Sequence, residues 1–182
     1  MDNSVNREER FTVDDILNLP EGVHMEMIDG VVYDMATPSP LHQQITLFIS
    51  RKIADHIDKK GGDCRVYPAP FAVFLTNDKN NYLEPDVSVI CDKSKISERG
   101  CEGAPDWIIE VVSPSSKSMD YLKKLHKYKQ SGVRLYWIID PMALCVTVCD
   151  FAEDTRMQYA IDDKIPVAIY DDLEIDMGEV EI

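Results

Sequence analysis

EPDVSVI (84–90), GAPDWIIEVVSPSS (103–116), KSMDYLKKLHKYKQSGV (117–133) and RLYWIIDP (134–141) are the stretches whose reading decides the fold. Glu84-Pro85-Asp86 opens a strand that continues through Val87, Val89 and Ile90, which sets Asp86 at the strand's mouth. Pro105 to Val112 is apolar almost throughout, the pattern of a strand covered on both faces. A helix follows from about Ser118 to Ser131, stopped by Gly132, and Leu135 to Ile139 is a short buried strand closed by Asp140-Pro141. One residue breaks the pattern. Glu110 stands between Ile108-Ile109 and Val111-Val112, and an unpaired carboxylate in an apolar layer costs several kcal/mol or gives up its charge. It therefore needs a cation, a hydrogen-bond network or a metal.

Upstream, Thr12 to Leu19 reads as a short helix capped by Thr12 and followed by Pro20. Asp29-Gly30 between Met25–Ile28 and Val31–Tyr33 predicts a hairpin. In it Glu26 points away from Met25 and Met27, and alternation alone makes it a solvent-facing residue. Ser39-Pro40 starts a helix, with Leu41, Ile45, Phe48, Ile49, Ile53 and Ile57 at helical spacing until Gly61-Gly62. Val66 to Leu75 reads as one strand with Pro68 and Pro70 near its start, residues 77–81 as a turn, and 92–103 as a polar loop or short helix. Ala143 to Cys149, Met157 to Ile161 and Ile165 to Tyr170 read as further strands. The central order of helix, three strands, helix, strand implies an α/β (α+β) fold, a mixed sheet with helices on its faces. One domain is expected, with an N-terminal helix and hairpin over 11–36, a core over 39–140 and acidic strands over 143–182.

The formal charge of −14 argues against a nucleic-acid partner only if it is spread evenly. It is not. From Asp150 onward eleven acids face Arg156 and Lys164, a net of −9, whereas Lys117 to Arg134 carries a net of +5. A local basic face containing Lys117, Lys123 and Lys127 could meet DNA phosphates, and a solvated lysine-rich helix face explains the same residues. No run reaches the ~18 to 20 apolar residues of a membrane-spanning helix, and MDNSVNREER lacks the apolar centre of a signal peptide, so a cytoplasmic location is expected. Five cysteines without CxxC spacing point to core or incidental thiols, not to a disulfide framework or a zinc site.

Asp86 and Glu110 stand on successive strands, where two carboxylates could converge. Such a pair suits Mg²⁺, which takes one or two carboxylates and completes its shell with water and phosphate oxygens. The alternative is a strand cap at Asp86 and a buried ion pair between Glu110 and a lysine.

EPDVSVI, GAPDWIIEVVSPSS, the spacing of Asp120, Lys124, Leu125 and Tyr128, and GVRLYWIIDP resemble the Uma family of bacterial restriction-endonuclease-type proteins, within the PD-(D/E)XK nuclease superfamily. MEMIDG (25–30) and PSPLHQQI (38–45) match as well. The resemblance implies the nuclease core of helix, three strands, helix, strand. It implies metal-dependent hydrolysis of DNA with Mg²⁺ or Mn²⁺ as cofactor, Asp86 and Glu110 as metal ligands, and Glu26 as a further metal or water ligand. The superfamily's lysine two residues after the acid is replaced here by Val112, and the resemblance assigns that part to Lys124. His42, Gln43 and Asp120 are accessory candidates.

On a wheel of about 100° per residue, Tyr121, Leu122, Leu125 and Tyr128 form the helix's apolar stripe and Lys124 lies roughly 90° from its centre. Lys129 lies nearer, so the wheel does not select Lys124. Its place near the helix start does, while Lys129 suits the C-terminal end of the helix dipole. Asp120 would orient Lys124 through an i,i+4 pair. A DNA endonuclease is the leading expectation. A catalytically silent nuclease fold that binds nucleic acid or protein, and a metal-free domain in which Glu110 pairs with Lys124, are the alternatives. Symmetric cutting of duplex DNA would suit a homodimer.

Overall fold

Thr12 caps the first helix, its side chain accepting from the Asp15 amide while Asp15 answers to the Thr12 amide. The computed structural model that shows this describes residues 10–20, 22–75, 79–114 and 116–180. The polar segment over residues 1–9, the beginning of the turn over 77–81, and Ser115 lie outside the described residues.

Helix α1 (Val13–Leu17) leads into a hairpin of β1 (Met25–Ile28) and β2 (Val31–Asp34). Both turn residues, Asp29 and Gly30, take positive φ, as the Asp-Gly pair anticipates. Helix α2 (Pro40–Lys60) is capped by the Ser39 hydroxyl, has Pro40 in its first turn and ends on Gly61 in the left-handed conformation. Then follow β3 (Arg65–Pro68), β4 (Val73–Phe74), β5 (Val87–Ile90), β6 (Ile96–Ser97), β7 (Gly100–Glu102) and β8 (Trp107–Val111). Helix α3 begins with wide π-type turns over Met119–Lys124 and continues as α-helix over Leu125–Ser131. Strands β9 (Leu135–Asp140), β10 (Cys145–Asp150), β11 (Thr155–Ala160), β12 (Lys164–Pro166) and β13 (Glu174–Asp176) complete the chain.

Six strands form the main sheet in the order β11-β10-β9-β8-β5-β3, with β8 and β9 parallel and the other neighbours antiparallel. Its central order along the chain is the helix, three strands, helix, strand read from the sequence. Alternation along β8 divides the core. Trp107, Ile109 and Val111 pack with Ile45, Ile49 and Ile53 of α2, whereas Ile108 and Val112 join Tyr128 of α3 on the opposite face. Burying each of those α2 isoleucines contributes roughly 1.5–3 kcal/mol, and truncating Ile49 to alanine would cost about 2–5 kcal/mol. Glu110 therefore projects toward α3.

Several local expectations are corrected. Val66 to Leu75 is not one strand. Pro68 ends β3, the Ala69 amide turns to the Asp86 carbonyl, and the chain restarts as β4 in a separate sheet ordered β4-β7-β6. Prolines lack the amide that would continue the ladder. Residues 92–103 hold, after a single 3₁₀ turn, the β6–β7 hairpin. In the C-terminal part, Ile165 to Tyr170 forms only the short β12, and Glu174–Asp176 pairs with it. Leu122, placed by the wheel on the apolar stripe, is 68 % exposed.

Cys64 and Cys91 form a disulfide, which corrects the expectation of unpaired thiols. They sit one pair beyond Arg65↔Ile90 in the β3–β5 register, at the end of β5 away from Asp86. Strand register brings them together across 27 residues, which no cysteine spacing motif encodes. Cys101 and Cys149 are buried free thiols and Cys145 is half-buried. Among the described residues no helix is long and apolar enough to cross a membrane.

Candidate active site

The β5–β8 ladder runs Val87↔Ile109, Ser88↔Ile108, Val89↔Trp107, and one further step would set Asp86 opposite Glu110. Asp86 ends the ladder with its side chain. Its Oδ2 accepts the Val111 amide at 2.7 Å and receives His42 Nε2 at 3.1 Å from the first turn of α2. This fastens the Asp86 carboxylate beside Glu110.

Helix α3 lies over the same face as Glu110 and delivers Lys124 to it. The wide turns at its start bring Asp120 and Lys124 inward, with Tyr128 one turn further, so the three buried residues share one face. The Lys124 side chain is 5 % exposed. Its ammonium donates to Glu110 Oε1 at 2.9 Å, reaches Glu26 Oε2 at 2.8 Å and Oε1 at 3.0 Å, and lies 3.6 Å from Asp120 Oδ1. Glu26, expected from alternation to face solvent, is buried on the inner side of β1. Its Oε1 also accepts the Glu84 amide at 3.1 Å. Both Glu26 oxygens thus hold the lysine.

Glu110 Oε1 takes a second donor, the Tyr128 hydroxyl at 2.8 Å. Glu110 Oε2 accepts no hydrogen bond from a described residue, and neither does Asp86 Oδ1. Each of the two carboxylates is pinned through one oxygen and open at the other. Tyr136 completes the surroundings by donating to the Asp120 carbonyl at 3.1 Å.

Three carboxylates around one ammonium leave an excess of negative charge. Burial works against the Lys124 charge, but Glu110, Glu26 and Asp120 outweigh it and raise its pKa well above the lysine range. Burial pushes Glu110 well up, and Lys124 only partly offsets that because Asp120, Asp86 and Glu26 push the same way. Asp120 is also raised, first by its burial. Lys124 faces all three acids and keeps its proton, so the excess charge falls on Glu110 and Asp120. At His42 burial disfavours the imidazolium, yet Asp86 more than offsets this and the pKa is raised.

The remaining sequence candidates are spread around this centre. Lys117 Nζ lies 2.9 Å from Asp140 Oδ2, Lys123 donates to the Tyr33 hydroxyl at 2.7 Å and stands over its ring, and Lys127 pairs with Asp29. Gln43 is exposed beside His42, with no side-chain hydrogen bond to a described residue. Sequence reasoning missed the contact of Tyr128 with Glu110. Its signal was the four-residue step from Asp120 to Lys124 to Tyr128, which sets all three on one helix face.

A family model, Uma2, described as "Putative restriction endonuclease", matches residues 13–174. An uncharacterized protein of Synechocystis sp. is 33% identical over 103 residues, which are 57% of this chain and 53% of that relative. The match thus spans about half the length of that curated relative. A crystal structure titled as a putative nuclease belonging to DUF820, from Anabaena variabilis, superimposes with a TM-score of 0.76 at 24% identity, covering 93% of this chain and 97% of that one. At that identity the likeness concerns the fold, a restriction-endonuclease-like nuclease fold.

Proposed function

The chain belongs to the Uma2 family, and from that premise we propose that it is a metal-dependent DNA endonuclease that hydrolyses phosphodiester bonds at the Asp86–Glu110–Lys124 cluster. The observation that carries this reading is the convergence of Lys124 and Glu110, from two elements, on the sheet end where Asp86 is fastened.

The residues fit a hard divalent cation. Two carboxylates, each pinned through one oxygen and open at the other, are the donor set that Mg²⁺ accepts alongside water. The local excess of negative charge, visible in the raised Glu110 and Asp120, favours a cation there as well. Among the described residues no three acidic, histidine or cysteine side chains already enclose a metal position, so the remaining ligands would be water and substrate oxygens. Asp86 and Glu110 would hold Mg²⁺ or Mn²⁺. When bound, such an ion activates a water and neutralises charge developing on a phosphodiester.

Lys124 does the work assigned to the lysine absent at Val112. Residue 112 points to the same face as Glu110, and α3 covers that face, so an ammonium from α3 reaches the region a lysine at 112 would occupy. Glu26 and Asp120 keep it charged and aimed, and His42 holds Asp86. The Lys124 ammonium positions the attacking water or stabilises the charged phosphate. Lys117, Lys123 and Lys127 would meet the DNA backbone, each exchanging an intramolecular partner for a phosphate.

Plasmid and oligonucleotide cleavage with Mg²⁺ or Mn²⁺, comparing wild type with Asp86→Ala, Glu110→Ala and Lys124→Ala, tests the reading. Loss of cleavage in all three variants supports it, and unchanged cleavage in Asp86→Ala and Glu110→Ala sinks the site. A second reading rests on the complete internal coordination of Lys124, which also suits a silent binding module. Salt-sensitive DNA binding without cleavage by the wild type would favour it.

A further inference from the structure

Tyr128 is fully buried at the centre of this arrangement and has no part in the reading above. Its hydroxyl and the Lys124 ammonium reach the same atom, Glu110 Oε1, at 2.8 and 2.9 Å. A carboxylate held by one donor swings about its last torsion, whereas two donors from successive turns of one helix restrain it. The outcome is a Glu110 that keeps Oε1 turned to α3 and leaves Oε2 without a hydrogen bond from any described residue. The Tyr128 ring is itself held, edge against Tyr136 at 5.0 Å and within the core under α3. Outer groups of this kind orient metal-binding carboxylates, and removing one costs 10–100-fold in metal affinity or activity.

We propose that Tyr128 is a positioning residue for a divalent-cation site, fixing Glu110 through Oε1 so that Oε2 is the oxygen presented to the cation. This rests on the reading of Asp86 and Glu110 as the cation ligands, and goes beyond it in giving α3 a second duty besides carrying Lys124.

Mn²⁺ binding to the metal-free protein, followed by calorimetry and by the loss of the free Mn²⁺ paramagnetic signal, provides the test without reference to cleavage. Tyr128→Phe keeps the ring and removes the donor, and the expected result is Mn²⁺ affinity lowered about tenfold or more. Tyr136→Phe is the control for buried packing. It removes a neighbouring buried hydroxyl that serves the Asp120 carbonyl and not Glu110, and its Mn²⁺ affinity should stay within about twofold of wild type. Tyr128→Phe binding as tightly as wild type, or Tyr136→Phe losing as much as Tyr128→Phe, overturns the role of Tyr128. In Glu110→Ala, retained affinity overturns the cation site itself and Tyr128's role with it, as does a wild type that takes up no Mn²⁺.

Discussion

Replacing Lys124 by methionine keeps most of the side-chain volume and removes the single ammonium set among Glu26, Glu110 and Asp120. The two closest contacts, at 2.8 and 2.9 Å, are each worth about 6 kcal/mol in gross Coulomb energy at an effective dielectric of 20. Burying the lysine offsets much of that gain, so the net loss on removing one partner of such a pair is about 3–5 kcal/mol. It also depends on pH. Without Lys124 the repulsion is relieved by protonation, which raises the folded pKa values of Glu110 and Asp120 further above the unfolded ones. A group raised in this way supports the fold while protonated and loses that contribution as pH rises through its folded pKa. The deficit of Lys124→Met should therefore be largest near pH 8 and shrink toward pH 5. Urea unfolding of metal-free protein, followed by fluorescence of the buried Trp107 and Trp137, measures it. Lys129→Met, which loses only a pair with exposed Asp154, should barely move the midpoint. A Lys124→Met deficit below about 1 kcal/mol, or one that is flat between pH 5 and 8, would refute the cluster as described.

Glu110→Gln should stabilise the metal-free protein by about 1 kcal/mol at pH 8, since the ionised Glu110 is disfavoured by burial, and the gain should fade as acid protonates the wild type; paired urea titrations decide it. Asp86 raises the pKa of His42 above the ordinary imidazole value of about 6.5, so its contribution is full below that value and lost as pH rises through the folded pKa. The stability gap between wild type and His42→Asn should narrow accordingly, and a gap that widens with pH would contradict the His42–Asp86 pairing. Reducing Cys64–Cys91 opens a loop spanning 27 residues and should cost about 3.5 kcal/mol by loop entropy, read as a lower urea midpoint with reductant that Cys64→Ser reproduces without it. Leu122→Ala should change stability by less than about 0.5 kcal/mol, and a core-sized loss would restore the straight helical wheel.

The central strands were legible because the middle of the main sheet is covered on both faces. Such strands appear as short continuous apolar runs, and β8 and β9 are buried at every position. Helix α2 announced both of its ends, through Ser39-Pro40 and Gly61. What stayed hidden depended on contacts between distant segments. The small β4-β7-β6 sheet is assembled from pieces two or three residues long, too short to show a period. Nothing near Cys64 or Cys91 announces their pairing, which follows only from the β3–β5 register.

Lys124 shows why the site was harder to read than the fold. A wheel of about 100° per residue assumes uniform α-helix. The helix that carries Lys124 opens with wide π-type turns, which advance each residue by a smaller angle and so rotate every position before Leu125 relative to those after it. Leu122 is thereby turned out to solvent, and Asp120 and Lys124 are turned inward to stand in line with Tyr128. The distortion sharpens an alignment that the four-residue spacing of Asp120, Lys124 and Tyr128 already gives, and it carries Leu122 further from that face. With Val112 on the strand beside Glu110, the ammonium that reaches Glu110 comes from Lys124 on the helix above it. The test of that link is a lysine placed at position 112. In Val112→Lys/Lys124→Met the new ammonium would rise from the same face of the same strand as Glu110, and it should recover part of the stability that Lys124→Met loses at pH 8. No recovery would mean that only α3 can aim a cation at Glu110.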